Sequence, residues 1–188
     1  MKNSIFIKIF SGYLLIVIVI LAITFPLSFR AIRHHHIDTL TGNLKNLCIT
    51  LKLKISPLLE SNQIEDLDTL IKKLGKQIDT RITVISPEGV VFADSEKIPT
   101  VMENHKNRIE IIQAIKYGFG TSLRYSASVK EEMLYVAIPI EKDDEVCGVL
   151  RASLFLKEIN TLLNNLKINI ITIAVIIVII LLKVHFVY

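Results

Sequence analysis

Charge is missing from two long stretches of this sequence. Ile9 to Leu27, IFSGYLLIVIVILAITFPL, runs nineteen residues without a charged side chain, and Ile168 to Leu182, INIITIAVIIVIILL, runs fifteen more. With 51% of the chain hydrophobic and a mean hydropathy of +0.50, an ordinary soluble domain is excluded. Both stretches read as transmembrane helices, the second reaching spanning length as Lys167 and Lys183 snorkel to the interfaces. A cleaved signal peptide competes for the first, since Lys2 and Lys8 make a charged leader. The run is longer than the ~7–15 residues of a signal core and no small-x-small cleavage site follows, so an uncleaved helix is expected.

Cysteine is scarce. Cys48 and Cys147 permit one disulfide, but nothing in a separation of 99 positions favours it over two small buried hydrophobes. A basic stripe interleaved with aromatics is absent as well. Residues 28–167 hold 19 Lys/Arg against 18 Asp/Glu, and three of the four net positive charges are Lys2, Lys8 and Lys183 beside the spans. The pI near 9.0 therefore reports a lipid bilayer as partner and no nucleic acid. Between Gly148 and Tyr188 there is no proline and no further glycine, so the last strand is free to run into a helix that enters the membrane unbroken.

The expected layout is a cytoplasmic tail (1–8), a first span (9–27), one domain (28–167), a second span (168–187) and a cytoplasmic end (188). Arg30 and Arg33 offset Lys2 and Lys8, so charge does not orient the chain. One helix at each end puts both termini on one side, and the simpler arrangement leaves 28–167 outside the inner (plasma) membrane.

Within that domain Ile37, Leu40, Leu44, Leu47, Leu51 and Ile55 recur at helical steps up to the breaker Ser56–Pro57. A second amphipathic segment carries Ile64, Leu67, Leu70, Ile71, Leu74 and Ile78 on one face. The period then changes. RITVIS (81–86) and VVFADS (90–95) flank Ser86–Pro87–Glu88–Gly89, a type I turn and hence a hairpin. IEIIQAIKYG (109–118) reads as a short helix stopped by Gly118. GTSLRYSAS (120–128), EMLYVAIPI (132–140) and VCGVLRASLFL (146–156) follow as strands, separated by the turns SVKE and EKDDE. Gaps this short leave no room for crossover helices, so a doubly wound parallel sheet is excluded. The expected class is α+β: a five-stranded antiparallel sheet with a long N-terminal helix and helices on one face. Ile159, Leu163, Leu166, Ile170 and Ile173 make a second seam, from which a homodimer is expected.

The richest chemistry lies in ADSEKIPTVMENHKNR (93–108). Asp94, Ser95 and His105 are hydrolase residue types, yet no G-x-S-x-G elbow surrounds Ser95, and no catalytic residue is expected. Asp94, Glu103 and His105 lack zinc spacing, and His34–His36 splay about 100° apart on a helix, so neither a metal nor a cofactor is expected. Two readings stay open. In one, Asp94, Glu103, Asn104, His105 and Arg108 form a polar clasp, with Arg108 on the same helical turn as Asn104 and His105 and Met102 as an apolar plug. In the other, the clasp is one wall of a ligand pocket completed by Arg124, Tyr125 and Tyr135, where an arginine grips a carboxylate or phosphate.

The string RITVISPEGVVFADSE…MENHKNRIEI…AIKYGFGTSLRYSAS…EEMLYVAIPI…GVLRASLFL closely resembles the extracytoplasmic sensor region of phosphate-regulon-type sensor histidine kinases, over roughly 81–156. It departs at Ile109, where the family often has proline, and at Cys147. The resemblance implies a PAS-like (PDC/Cache-type) domain, a homodimer, and HAMP and kinase modules beyond the second span. No phosphoacceptor histidine box or ATP-binding box follows Lys183, so the chain itself is expected to phosphorylate nothing. A cognate response regulator becomes a partner only if those modules are present elsewhere. The expectation is the membrane-bound input region of a two-component system, with its small-molecule ligand unidentified. The competing expectations are a stand-alone receptor acting through a separate protein and an extracytoplasmic enzyme centred on His105.

Overall fold

The structure, a computed structural model, describes residues 2–126 and 131–187. It divides into two compact units: one gathers the chain up to His36 and from Glu158 onward, the other is Ile37–Lys157. The first consists of two helical segments with apolar windows long enough to cross a membrane, within Ile9–Glu60 and over Asn160–Ile179. The second holds the sheet.

Helix α1 (Lys2–Glu60) runs straight through Ser56–Pro57, where the sequence predicts a break. Proline forfeits one backbone bond, here the one to the Leu53 carbonyl, on a side of the helix where Leu53 is 77% exposed. The stop comes at Asn62, in the left-handed region at φ 56°. The Gln63 amide reaches back to the Leu58 carbonyl at 2.9 Å, closing the helix end. The buried stripe of this segment is Leu44, Cys48, Leu51, Ile55 and Leu59, with Ile37, Leu40 and Leu47 only partly covered.

Helix α2 (Ile64–Ile78) places Glu65 and Asp66 at its positive end and buries Leu67 and Ile71. It lies along the hairpin of β1 (Arg81–Ile85) and β2 (Val91–Asp94). The hairpin turn has the expected bond, Gly89 N–H to Ser86 carbonyl at 2.9 Å, and Gly89 takes φ +89°. Helix α3 (Ile109–Tyr117) stops at Gly118, φ +76°, whose amide bonds the Ala114 carbonyl at 2.9 Å. Strands β3 (Gly120–Ser126), β4 (Glu131–Lys142) and β5 (Glu145–Phe155) form two more hairpins; Asp143 and Asp144, both at positive φ, turn β4 into β5 as a type I′ turn requires. The predicted extension of β3 over Ala127 and Ser128, and most of the SVKE turn, lie outside the described residues. After β5 a single residue, Leu156, precedes α4 (Lys157–Val187).

All strands are antiparallel, in the order β2-β1-β5-β4-β3. Neighbouring residues of a strand point to opposite faces, and this corrects the expectation that helices cover one face. Cys48 of α1 bonds the backbone at Ala152, on one face. On the other, α3 packs Ile111 and Ala114 against Ile85, Val91, Ala137 and Val149. That second face is covered only in its lower half. Beside it the same face carries Arg81, Thr83, Asp94, Tyr135, Arg151 and Ser153, polar or aromatic residues that are all buried. The sheet thus carries an apolar floor under α3 and a charged floor beside it.

Gly120 sets the distance between the two. A Cβ on it would collide with the Glu110 carbonyl of α3, so no other residue lets the helix sit this close. Gly120→Ala is expected to cost about 1–3 kcal/mol, read as a lowered midpoint in thermal unfolding; an unchanged midpoint would show that α3 yields freely.

Candidate functional site

Two acids anchor the charged floor. Asp94, fully buried at the end of β2, accepts from Arg81 Nε and Nη2 at 3.2 and 3.1 Å and from Thr83 Oγ1 at 2.8 Å. The amides of Glu96 and Lys97 close on its other oxygen at 3.0 and 2.9 Å. Glu110, in the first turn of α3, accepts through Oε1 from Arg124 and from Arg151, each at 3.3 Å. Arg151 Nη2 then donates to Thr83 Oγ1 at 3.2 Å. The result is one continuous chain, Glu110–Arg151–Thr83–Asp94–Arg81, tying α3 to three strands. Two guanidiniums approach the Tyr135 ring, Arg124 at 4.2 Å and Arg151 at 5.2 Å from its centroid.

Arg151 is 2% exposed, and burial is the first cause that lowers its pKa, to about 10, against the opposing pull of Glu110. It remains a cation at neutral pH. Its Nε, together with Glu110 Oε2 and Ser153 Oγ, has no hydrogen-bond partner among the described residues, an unfavourable state for buried polar atoms.

Above this floor the loop after β2 folds over a one-turn 3-10 segment, Pro99–Val101, and returns to the hairpin. Asn104 Nδ2 donates to the Glu88 carbonyl at 2.9 Å, while the His105 amide donates to the Gly89 carbonyl at 2.8 Å. A Cβ on Gly89 would strike Asn104 Oδ1 and the Lys106 nitrogen, so this glycine is what lets loop and turn meet. The predicted helical turn through Asn104, His105 and Arg108 is absent. The segment is a hydrogen-bonded turn, Arg108 N–H to His105 carbonyl at 3.0 Å, and the Arg108 side chain meets Glu103 at 3.5 Å. Its physical reason is that Asn104 engages the neighbouring amide of Lys106, an alternative to helix that asparagine offers.

Floor and loop enclose a cavity of about 530 Å³. Of the residues singled out in the sequence, Glu103, His105, Arg108, Arg124, Tyr125 and Tyr135 line it. Asp94 stands behind Arg81, and Asn104 serves the hairpin turn. Met102 both lines the cavity and packs against the apolar core under α3. Sequence reasoning missed Arg81 and Arg151 in the wall, and Glu110 and Thr83 behind it. A signal existed: Arg151 and Glu110 each interrupt an apolar run, GVLRASLFL and IEIIQAI, where a charge has to be paired. No group of three His, Cys, Asp or Glu residues suited to a metal occurs among the described residues.

His105 is buried and holds Nδ1 2.7 Å from the Glu103 carbonyl. Burial, then the charges of Arg151 and Arg108, push its pKa down to about 4. The unfolded chain, with histidine near 6.5, therefore binds more protons than the folded one between these values. Stability attributable to neutral His105 is complete above pH 6.5 and is lost as pH falls towards 4. His105→Asn is expected to flatten this part of the stability–pH curve, measured by urea unfolding at pH 7.0 and 4.5. An equal slope in both proteins would place the titration elsewhere.

A PAS-like sheet with a cation-lined cavity between its face and a long loop defines a sensor-type domain. The Single Cache-like family matches residues 55–154, more than half of the chain, and the chain belongs to that family. No curated protein sequence matches it closely. Among solved structures it is similar to the domain of a sensory box/GGDEF family protein from Vibrio parahaemolyticus (TM-score 0.54, 13% identity, 74% of this chain and 62% of that one). It is also similar to the extracellular domain of the histidine kinase vpHK1S-Z8 (0.54, 13%, 74% and 59%). A methyl-accepting chemotaxis protein from Vibrio parahaemolyticus gives 0.51 at 16% identity, with 70% and 99% covered. The chain thus spans about three fifths of the first two and nearly all of the third. At these identities the likeness shows a shared fold.

Proposed function

We propose that this chain is the membrane-bound input region of a two-component sensor histidine kinase, of the phosphate-regulon type its motif string resembles. The Ile37–Lys157 unit lies outside the membrane and takes up a small anion in its arginine-lined cavity. The observation that carries the reading is that Arg81, Arg108, Arg124 and Arg151 converge on one cavity of a Single Cache-like domain. Four guanidiniums facing one space repel each other, and an anion that enters relieves the repulsion. Arg151 lies on β5, six positions before the start of α4. A bound anion that draws in Arg151 biases the strand, and the strand biases the helix that leads into the membrane. A tenfold shift between two packings needs only ~1.4 kcal/mol of differential binding, and helix displacements of ~1–2 Å suffice for such switches.

Two chains work together in this reading. Leu166, Ile170 and Ile173 stand exposed along α4 at heptad spacing and supply a surface for a second copy. Kinase modules, and through them a response regulator, act on the cytoplasmic side.

The test fuses residues 1–183 to the cytoplasmic part of a histidine kinase with a transcriptional reporter. Expected is an anion-dependent change of output that disappears when two glycines are inserted after Leu156, with ligand binding retained. Output that ignores the insertion removes the proposed relay.

A further inference from the structure

The cavity's charges also select what enters it; this step rests on the anion-binding reading above. Five cations line the space: Arg81, Lys97, Arg108, Arg124 and Arg151. Against them stand Glu103 in the wall and, in contact with the arginines from behind, Asp94, Glu96 and Glu110. His105 is neutral at pH 7, as its depressed pKa requires. One positive charge remains in excess. A singly charged anion balances it, whereas a doubly charged one leaves a net negative charge in a partly buried space.

The buried acids are moreover engaged, and the one carboxylate in the wall stands away from the floor, the Glu103 side chain being 87% exposed. Asp94 holds Arg81, Thr83 and two backbone amides; Glu110 holds Arg124 and Arg151; Glu103 meets Arg108. Glu110 Oε2 lacks a partner but is fully buried and does not reach the cavity wall. An ammonium group beside a carboxylate on the floor would therefore meet cations and no available carboxylate.

Depth separates the lining into two zones. Arg81, His105, Tyr135 and Arg151 are buried and form the floor. At the mouth Val101 is 76% exposed and Tyr125 65% exposed, with Met102 between them and the core. Tyr135 is buried with two guanidiniums over its ring, so the apolar surface exposed at the mouth is Val101, Met102 and the Tyr125 ring. A space of about 530 Å³ falls in the range of ~300–1,000 Å³ seen for organic ligands and far exceeds the needs of a bare inorganic ion.

We infer that the cavity takes an organic acid with a single negative charge, an apolar body and no ammonium group: its carboxylate goes to Arg151 and Arg124, its body against Val101, Met102 and Tyr125. An apolar monocarboxylate is selected over a dicarboxylate, over inorganic phosphate and over an amino acid of the same shape.

Titration calorimetry on the full chain in lipid nanodiscs at pH 7 tests this with benzoate and hexanoate, against succinate, phosphate, phenylalanine and benzyl alcohol. Expected is binding of at least one apolar monocarboxylate tenfold or more tighter than all four comparison compounds. Arg124→Gln, at a partly exposed position, is expected to weaken the monocarboxylate at least tenfold. Tyr125→Ser and Val101→Asn, both on exposed side chains, are expected to weaken benzoate and hexanoate while leaving the thermal midpoint of the free protein unchanged. Tighter binding of succinate, phosphate or phenylalanine overturns the selectivity and leaves the anion sensor standing. Tighter binding of benzyl alcohol, or no binding of any anion, overturns both.

Discussion

Truncating Glu110 to alanine is expected to cost the Ile37–Lys157 unit about 3–5 kcal/mol, the range for breaking a buried ion pair from one side. Glu110 is the acid in contact with Arg151, a residue 2% exposed, and it also holds Arg124. Without it a guanidinium stays buried beside Arg81, with Thr83 as its remaining hydrogen-bond partner among the described residues. A domain of this size is stable by only ~5–15 kcal/mol, so the loss is visible as a drop of roughly 10 °C or more in thermal midpoint. The cost belongs to the orphaned charge and not to lost volume, which a second variant separates. Glu110→Leu with Arg151→Met removes both charges and is expected to recover most of the stability. A double variant as unstable as Glu110→Ala would assign the loss to packing under α3.

Asp94→Ala carries the second large effect, again about 3–5 kcal/mol, with a local signature. The carboxylate holds Arg81 and Thr83 on one side and the amides of Glu96 and Lys97 on the other. Alanine releases both. Asparagine keeps an oxygen for the two amides and loses the charge that Arg81 needs, so it is expected to be destabilised less. Amide hydrogen exchange distinguishes them: Glu96 and Lys97 lose protection in Asp94→Ala and keep it in Asp94→Asn. Equal protection in both variants would mean that the loop after β2 is held by something other than this side chain.

The parts of the fold legible in the sequence are those decided within a few residues. Ser86–Pro87–Glu88–Gly89 closes its own hydrogen bond, Gly118 stops its own helix, and alternating apolar residues announce five strands. The site was legible in part: Glu103, His105, Arg108, Arg124, Tyr125 and Tyr135 were singled out, whereas Arg81, Arg151 and Glu110 were not. The loop at 93–108 is polar because it serves two surfaces, the hairpin turn through Asn104 and the cavity through Glu103, His105 and Arg108. Its partners are remote: Arg151 meets Glu110 across 41 positions and Thr83 across 68. Such contacts follow from strand order, and the pairing of β1 with β5 is invisible to local pattern. The helix break expected at Pro57 failed for a related reason. A proline costs a helix one donor, and whether that cost ends the helix depends on which side of it faces water.

The cysteine on α1 turns this packing into something measurable without added labels. Cys48 has no exposed surface, and burial lifts its thiol to about 12. At neutral pH it therefore offers almost no thiolate to an alkylating reagent while the helix rests on β5. Cys147, on the same strand but only partly covered, is a built-in comparison. The ratio of their maleimide reaction rates reads how often this stretch of α1 lifts from the sheet, so each ligand trial on the native chain carries its own conformational clock.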